Sequence, residues 1–263
     1  MRLGIVMPVV LNEPALLELT MEAVEHLVTS CDARLYMICN GLHVCSDANL
    51  AAQLAARFGG VATVVNDPGV VRSVAGSWNR GTELAIGDGA EYVVAIANDA
   101  ILRHDCLDAM VAFGGRGTAD LWSGISYNNR AEIDVSAITD GGDFTCFMFR
   151  PQTIGRFGWF DPNFKPAYFE DNDYYARVVL GGGDCRVVHA AQFYHHGSMT
   201  IRHDAVAAHH VNHWFGRNRA YFARKWGVTQ PASCRDDVIG RYYPHPFNDP
   251  ARSLSWFPEN GNS

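Results

Sequence analysis

Apolar residues along the first hundred positions fall into two alternating patterns: short continuous runs, and longer stretches with helical spacing. Residues 3–10 form a run rich in β-branched side chains, as in a strand buried on both faces. Pro8 is expected to end that strand, because a proline cannot donate to a central ladder. Asn12-Glu13-Pro14 then reads as a cap and a first-turn proline, followed by Leu16, Leu17, Met21, Val24, Leu27 and Val28 at helical spacing. The same unit recurs as a strand over 35–39, a turn at Asn40-Gly41 and an alanine-rich helix over 47–58. A third strand over 61–65 and a helix over 73–86 flank the turn Asn66-Asp67-Pro68-Gly69. A fourth strand, 92–97, is entered through Gly87-Asp88-Gly89 and ends at Asn98-Asp99. Strands alternating with helices imply a mainly parallel sheet covered on both sides, an α/β fold whose ligands collect at the carboxyl ends of the strands. Three polar loops, 10–13, 66–72 and 98–99, converge on that edge.

The alternation loosens after residue 102. The pattern predicts a helix over 104–113, a strand over 121–125, a polar irregular loop over 127–142, a strand over 144–149 and a short helix over 152–156. Gly158-Trp159-Phe160-Asp161-Pro162 leads to the cluster Tyr168-Phe169-Glu170-Asp171-Asn172-Asp173, after which helical spacing runs from 173 to 180 and stops at three glycines. Short strands are expected over 185–188 and 192–194, then a long aromatic helix from 203 or 204 to 226. The expected organisation is one continuous domain, 1–227, with a regular half over 1–102 and a looser half over 103–227. A tail, 228–263, is expected to pack on it without regular structure.

Composition narrows the function classes. Of the 263 residues 48% are hydrophobic, enough for a substantial core. A net charge of −7 argues against a protein that coats nucleic acid or a membrane. The seven cysteines are odd in number, scattered and free of any C-x-x-C pair, as for reduced thiols. The first apolar run is too short to span a bilayer, so the expectation is a cytoplasmic protein with no membrane span.

Three constellations carry chemistry. Glu170, Asp171 and Asp173 are three carboxylates within four residues, and aromatic neighbours on both sides suit a carboxylate whose pKa is lifted into the range of a useful base. A solvated helix start explains one such acid but not three. Helical geometry sends Glu170 and Asp173 away from Asp171. Asn98-Asp99 ends a strand, where an aspartate either caps a turn or holds a hard cation against a diphosphate. His195-His196 follows a strand running back toward the same edge. His209 and His213 share a helix face but lack the H-E-x-x-H pattern, and a packing or surface role outweighs zinc. No glycine-rich dinucleotide fingerprint opens the first helix.

With these pieces placed, residues 3–227 resemble the family 2 glycosyltransferases of the GT-A fold. The resemblance rests on Ile5-Val6-Met7-Pro8 with Asn12-Glu13, on Asn66-Asp67-Pro68-Gly69 with 76–81 (GSWNRG), on Ile96-Ala97-Asn98-Asp99, on 154–161 (IGRFGWFD), on 169–173 with Arg177 and Gly181, and on His195-His196-Gly197-Ser198. It implies an inverting hexosyl- or related transferase with a nucleotide-sugar donor, a UDP-sugar foremost, and a divalent cation, Mn2+ or Mg2+. Asp171 takes the place of the general base, with Glu170 as its partner. Asp99 stands for the surviving acid of the family's Asp-x-Asp element, here Asn98-Asp99-Ala100, and His195 for the later metal-ligand histidine, with His196 as the register alternative. The donor site it implies comprises Pro8, Val9, Asn12, Glu13, Asn40, Asn66, Arg72, Trp78, Asn79, Asn98 and Asp99, with Arg72 or Arg80 beside the leaving phosphates. Cys39-Asn40-Gly41 stands where many members carry the acid that reads uracil. The acceptor is a glycan, lipid, protein or modified nucleic acid base, with the 127–143 loop and the 204–226 helix as its contact candidates. A sugar nucleotidyltransferase, which needs a basic glycine-rich loop after the first strand, and a non-catalytic nucleotide- or glycan-binding module are the competing readings.

Overall fold

A computed structural model describes residues 1–10, 13–39, 48–58, 62–67, 70, 72–127, 133–197 and 205–226. Asn12, Asn40 and the tail from 228 lie outside the described residues. The first half builds β1 (Arg2–Val9), α1 (Pro14–Glu25), β2 (Asp32–Cys39), α2 (Ala48–Phe58), β3 (Ala62–Val65), α3 (Val74–Gly87) and β4 (Tyr92–Ile96). The second adds β5 (Ala100–Leu102), α4 (Cys106–Arg116), β6 (Leu121–Ser126), β7 (Ile138–Asp140), β8 (Cys146–Phe149), α5 (Pro151–Phe157), α6 (Glu170–Leu180), β9 (Cys185–His195) and α7 (Ala205–Trp226). All nine strands join one sheet in the order β3-β2-β1-β4-β8-β6-β9-β5, with β7 also on β9. β3, β2, β1 and β4 are parallel, β6 and β9 run with them, and β8, β5 and β7 run against them.

Both faces are covered, as the apolar runs require. One core contains Leu17 of α1, Leu50 of α2 and Leu107 of α4, and the other Trp78 of α3, Ile154 of α5 and Tyr174 of α6. A third cluster joins Phe164, Phe169 and Ala176 to Tyr221, Phe222 and Trp226 of α7. Ser73 caps α3 by accepting from the Gly76 N–H at 3.1 Å, the role its residue type favours at that position.

Several expectations from the pattern are corrected. Pro8 does not end β1: it pairs with Ile38, and the strand runs on to Val9. The ladder to β4 closes at Val6↔Ala95, so Pro8 sits where β1 has an open side and a missing donor is tolerated. The two short strands expected over 185–194 are one strand, β9. Its register against β6 shifts between Ser123 and Ile125, and a Cβ on the intervening Gly124 would lie 2.5 Å from the Ala191 carbonyl oxygen. That bulge, over an Ala190-Ala191 pair with little β-propensity, broke the sequence signal. β5 and β7 are three residues each, too short for a period, and β7 falls within the expected irregular loop. α6 begins at Glu170 rather than 173, so the acidic cluster is the first turn of the helix.

α3 packs hard on β1 at Gly81, where an added Cβ would lie 2.3 Å from Val6 Cγ1 and 3.0 Å from Val6 Cγ2. At Gly87, the last residue of the same helix, an added Cβ meets open space. Glycine-to-alanine changes in a helix normally stabilise by up to about 1 kcal/mol. Gly81→Ala is expected to reverse that and cost about 1–3 kcal/mol through overpacking, while Gly87→Ala leaves stability unchanged or raised. Urea unfolding midpoints of the two variants check the contrast.

Candidate active site

Strand direction fixes where chemistry can gather. β1 and β4 end side by side, and the crevice beyond their carboxyl ends is where open α/β sheets bind ligands. Asn98 and Asp99 form the turn leaving β4, both nearly buried. Asn98 is turned toward α1, its amide donating to Thr20 Oγ1 at 3.0 Å. Asp99 faces the end of β9: its Oδ1 lies 3.1 Å from His195 Nε2, and its backbone oxygen accepts from the His196 N–H at 3.1 Å. The pairing Ala100↔His195 sets that register. His196 instead packs its ring against Tyr194, centroids 4.6 Å apart. His195 Nδ1 lies 3.4 Å from Thr145 Oγ1, whose backbone N–H donates to Asp143 Oδ1 at 2.9 Å. Burial pulls the His195 pKa down, but the Asp99 hydrogen bond and charge, with Asp143 adding to them, outweigh it and leave the pKa above the ordinary 6.5. Asp143 and Thr145 were invisible as site residues in the sequence, where nothing marks the loop before β8 as returning to β9.

An oxygen and an imidazole nitrogen 3.1 Å apart match the cis edge of an octahedral site, about 3 Å for ligand distances of about 2.1 Å. The second imidazole nitrogen has a neighbour to orient it, as metal-ligand histidines require. Among the described residues no group of three His, Cys, Asp or Glu side chains converges as a metal site. Two protein ligands suit a cation whose other positions go to water and phosphate oxygens, so the donor set fits.

The acidic turn arrives at the same edge by a different route. At its carboxyl end, α6 reaches the amino edge of the sheet, where Arg156 bonds both the Gly182 carbonyl (2.9 Å) and Asp120, the residue before β6. The first turn of α6 therefore lies at the opposite, carboxyl edge. Tyr175, one turn after Asp171, packs on Gly142 in the loop that carries Asp143 and Thr145. Asp171 is half-buried, its Oδ1 accepting from the Asn172 N–H (2.8 Å) and amide (3.2 Å). Glu170 is buried, and its Oε2 has no hydrogen-bond partner. Burial first, then the charges of Asp171 and Asp173, push its pKa well above the ordinary carboxylate range, so the lifted acid is Glu170.

Asp173 turns inward to a buried ion cluster. Lys225 Nζ of α7 lies 2.6 Å from Asp161 and 2.8 Å from Asp173, both acids fully buried. Arg177 Nε donates to Asp173 at 3.0 Å, Trp226 Nε1 to Asp173 at 3.0 Å, and Tyr221 Oη to Asp161 at 2.8 Å. Burial raises the Asp161 pKa, but Lys225 and the hydrogen bonds bring it below the usual value. Tyr168 and Phe169, just before the turn, hold φ of 75° and 76°, a region that costs a non-glycine residue about 1–3 kcal/mol. Asn218 of α7 holds them, its amide donating to the Ala167 (2.8 Å) and Tyr168 (3.2 Å) carbonyls. A signal for this was available: Asn218 and Lys225 are polar residues on the same helix face as Tyr221, Phe222 and Trp226.

The remaining predicted donor residues divide. Val9 is buried at the end of β1, and Pro8, Glu13 and Asn66 are half-buried beside the crevice. Arg72 is ion-paired with Asp67 in the loop after β3. Trp78 lies in the core against Phe147 and Phe160, and Asn79 exchanges hydrogen bonds with the Phe160 backbone at 2.8 and 3.0 Å, so both brace α3. Arg80 pairs with Glu83 on the surface of α3.

No protein-family model and no curated protein sequence matches the chain. Among solved structures it is similar to the mannosyltransferase PcManGT from Pyrobaculum calidifontis in complex with GDP-Man and Mn2+, with a TM-score of 0.60 and 15% identity over 91% of this chain and 68% of that one. It is also similar to S. aureus TarS 1-349, with a TM-score of 0.54 and 12% identity over 91% of this chain and 69% of that one. The chain has the GT-A glycosyltransferase fold. In this GT-A sheet the Asn98-Asp99 turn and the start of α6 flank one edge. Among the described residues no helix is long and apolar enough to cross a membrane.

Glu170 generates a pH test. Its folded pKa lies above the unfolded value, so its contribution to stability is full below about 4.5 and is lost as pH rises toward the folded pKa. Glu170→Gln is expected to flatten that decline and to be more stable than wild type at neutral pH. Denaturation midpoints between pH 4 and 8 check it.

Proposed function

We propose that the chain is an inverting glycosyltransferase that moves a sugar from a nucleoside diphosphate to an acceptor hydroxyl. The observation that carries the reading is the meeting of two unlike groups at one edge of a GT-A sheet: the Asp99–His195 pair at the end of β4 and the half-buried Asp171 at the start of α6. A divalent cation, Mn2+ or Mg2+, held by Asp99 and His195 would supply Lewis-acid stabilisation of the departing diphosphate. The Mn2+ in the mannosyltransferase complex supports that choice. Asp171 accepts the proton of the acceptor hydroxyl as the oxygen bonds to the anomeric carbon from the face opposite the diphosphate. The carbon–diphosphate bond breaks in the same displacement, so the anomeric centre inverts with no covalent enzyme intermediate. Glu170, buried beside Asp171 with its pKa pushed well above the ordinary carboxylate range, favours the neutral acid there.

Arg72, at the carboxyl edge after β3, is the donor we assign to the phosphates, and Pro8, Val9, Glu13 and Asn66 the wall around the nucleoside. At the end of β2 the Cys39 thiol is buried in the core and pushed up to about 12, so it brings no charge to that side of the crevice. The donor class is a nucleoside diphosphate sugar, and the GDP-Man of the mannosyltransferase complex supports it. Free, mostly buried thiols at 31, 39, 106, 146 and 185 suit a reducing, cytoplasmic compartment.

Asp171→Asn is expected to lower sugar transfer, and hydrolysis of the donor by water, by about 10²–10⁴-fold while nucleoside diphosphate still binds. Chromatographic assay of nucleoside diphosphate release, beside a thermal-shift assay of its binding, checks both. A wild type that binds donors but turns none over is a binding module instead.

A further inference from the structure

Among the described side chains of α7, Asn218, Tyr221, Phe222 and Trp226 are buried, whereas Asn212, His213, Phe215 and Arg217 are exposed. Phe215 is the conspicuous member, a large apolar ring left 43% exposed. It stands 5.6 Å from the Tyr168 ring and 5.1 Å from Phe169, centroid to centroid. Those two residues are the left-handed corner that Asn218 clamps, and Asp171 follows within one helical turn. A strained corner held by a buried amide re-aims what it carries: Phe169 goes into the core while Tyr168 stays half-exposed beside Phe215.

We propose that Phe215, with the Tyr168 ring standing at 72° beside it as a side wall, forms a stacking subsite for a pyranose ring of a carbohydrate acceptor, holding its hydroxyl at Asp171. This rests on the glycosyltransferase reading and adds the acceptor class to it. The face of an aromatic ring is electronegative and meets the partly positive C–H face of a sugar, while the hydroxyls at the sugar's rim need donors and acceptors. Asn212 and Arg219, one turn before and one turn after Phe215 on α7, are exposed and carry such groups. A lipid acceptor requires a wide apolar surface, whereas the exposed described neighbours one turn either side of Phe215, Asn212 and Arg219, are polar. A polynucleotide also stacks on aromatics, but a net charge of −7 opposes it.

The test is isothermal titration of the full chain, loaded with Mn2+ and the nucleoside diphosphate that stabilises it, with cellobiose, chitobiose and mannobiose. At least one disaccharide is expected to bind. Phe215→Leu, which keeps apolar packing against Phe169 without a ring face, should weaken it by a factor of about three to ten, and Phe215→Trp should restore it. Nucleoside diphosphate stabilisation, read in the same variants, reports the donor side separately. Binding of no disaccharide, equal affinity in Phe215→Leu, or Phe215-dependent binding of single-stranded DNA overturns the subsite. A wild type that no nucleoside diphosphate stabilises overturns the glycosyltransferase reading itself.

Discussion

Lys225 is the ion on which the α6–α7 side of the molecule depends. It lies between Asp161 and Asp173, two carboxylates with no exposure to water, and Arg177 balances the remaining charge. Taking four charges out of water costs several kcal/mol per ion, and mutual attraction in a low-dielectric interior offsets this only when geometry and hydrogen bonds are good. Here Tyr221 and Trp226 supply the extra donors. Removing one partner of such a cluster costs about 3–5 kcal/mol, whereas exposed pairs such as Arg57–Glu25 contribute at most about 1 kcal/mol. The cluster therefore fixes the loop around Asp161, the first turn of α6 and the last turns of α7 as one piece.

That piece explains why three adjacent acids behave differently. Asp173 is paired with its cations, Glu170 is buried with its pKa pushed well above the ordinary carboxylate range, and Asp171 stays half-buried on the turn with its carboxylate oriented by Asn172. The repulsion that a run of acids implies is eased by two separate devices, ion pairing at Asp173 and burial that favours the neutral acid at Glu170. The opposite wall is built with less: a tight β4–β5 turn puts Asp99 against His195, and the loop before β8 brings Thr145 and Asp143 behind the imidazole.

The alternation of strand and helix through residue 97 was legible because each element is long and its apolar period clean. The Asn98-Asp99 turn at the end of β4 and the place of His195 at a strand end were legible from the pattern, without their roles. Harder to see were β5, β7 and the continuity of β9, since three-residue strands carry no period and the bulge at Gly124 interrupts one. Trp78 and Asn79 sit in a donor-like motif, yet the structure uses them to brace α3 on the Phe160 loop. The start of α6 lies earlier than the pattern predicts because its first turn, Glu170 to Asp173, carries no apolar residue to set a period, and nothing nearby in the chain marks what neutralises Asp173. Lys225, more than fifty residues away, does so.

In the proposed mechanism Asp99 and His195 hold the cation and diphosphate while Asp171 faces the sugar from the other side. Anomalous diffraction at the manganese edge, from crystals grown with Mn2+ and a nucleoside diphosphate sugar, tests it most directly. The account predicts one peak bonded to Asp99 and His195, touching the diphosphate, with the anomeric carbon open toward Asp171. A peak away from that pair, at the exposed His209 and His213 of α7 for instance, or a diphosphate bound at another edge of the sheet, would contradict it.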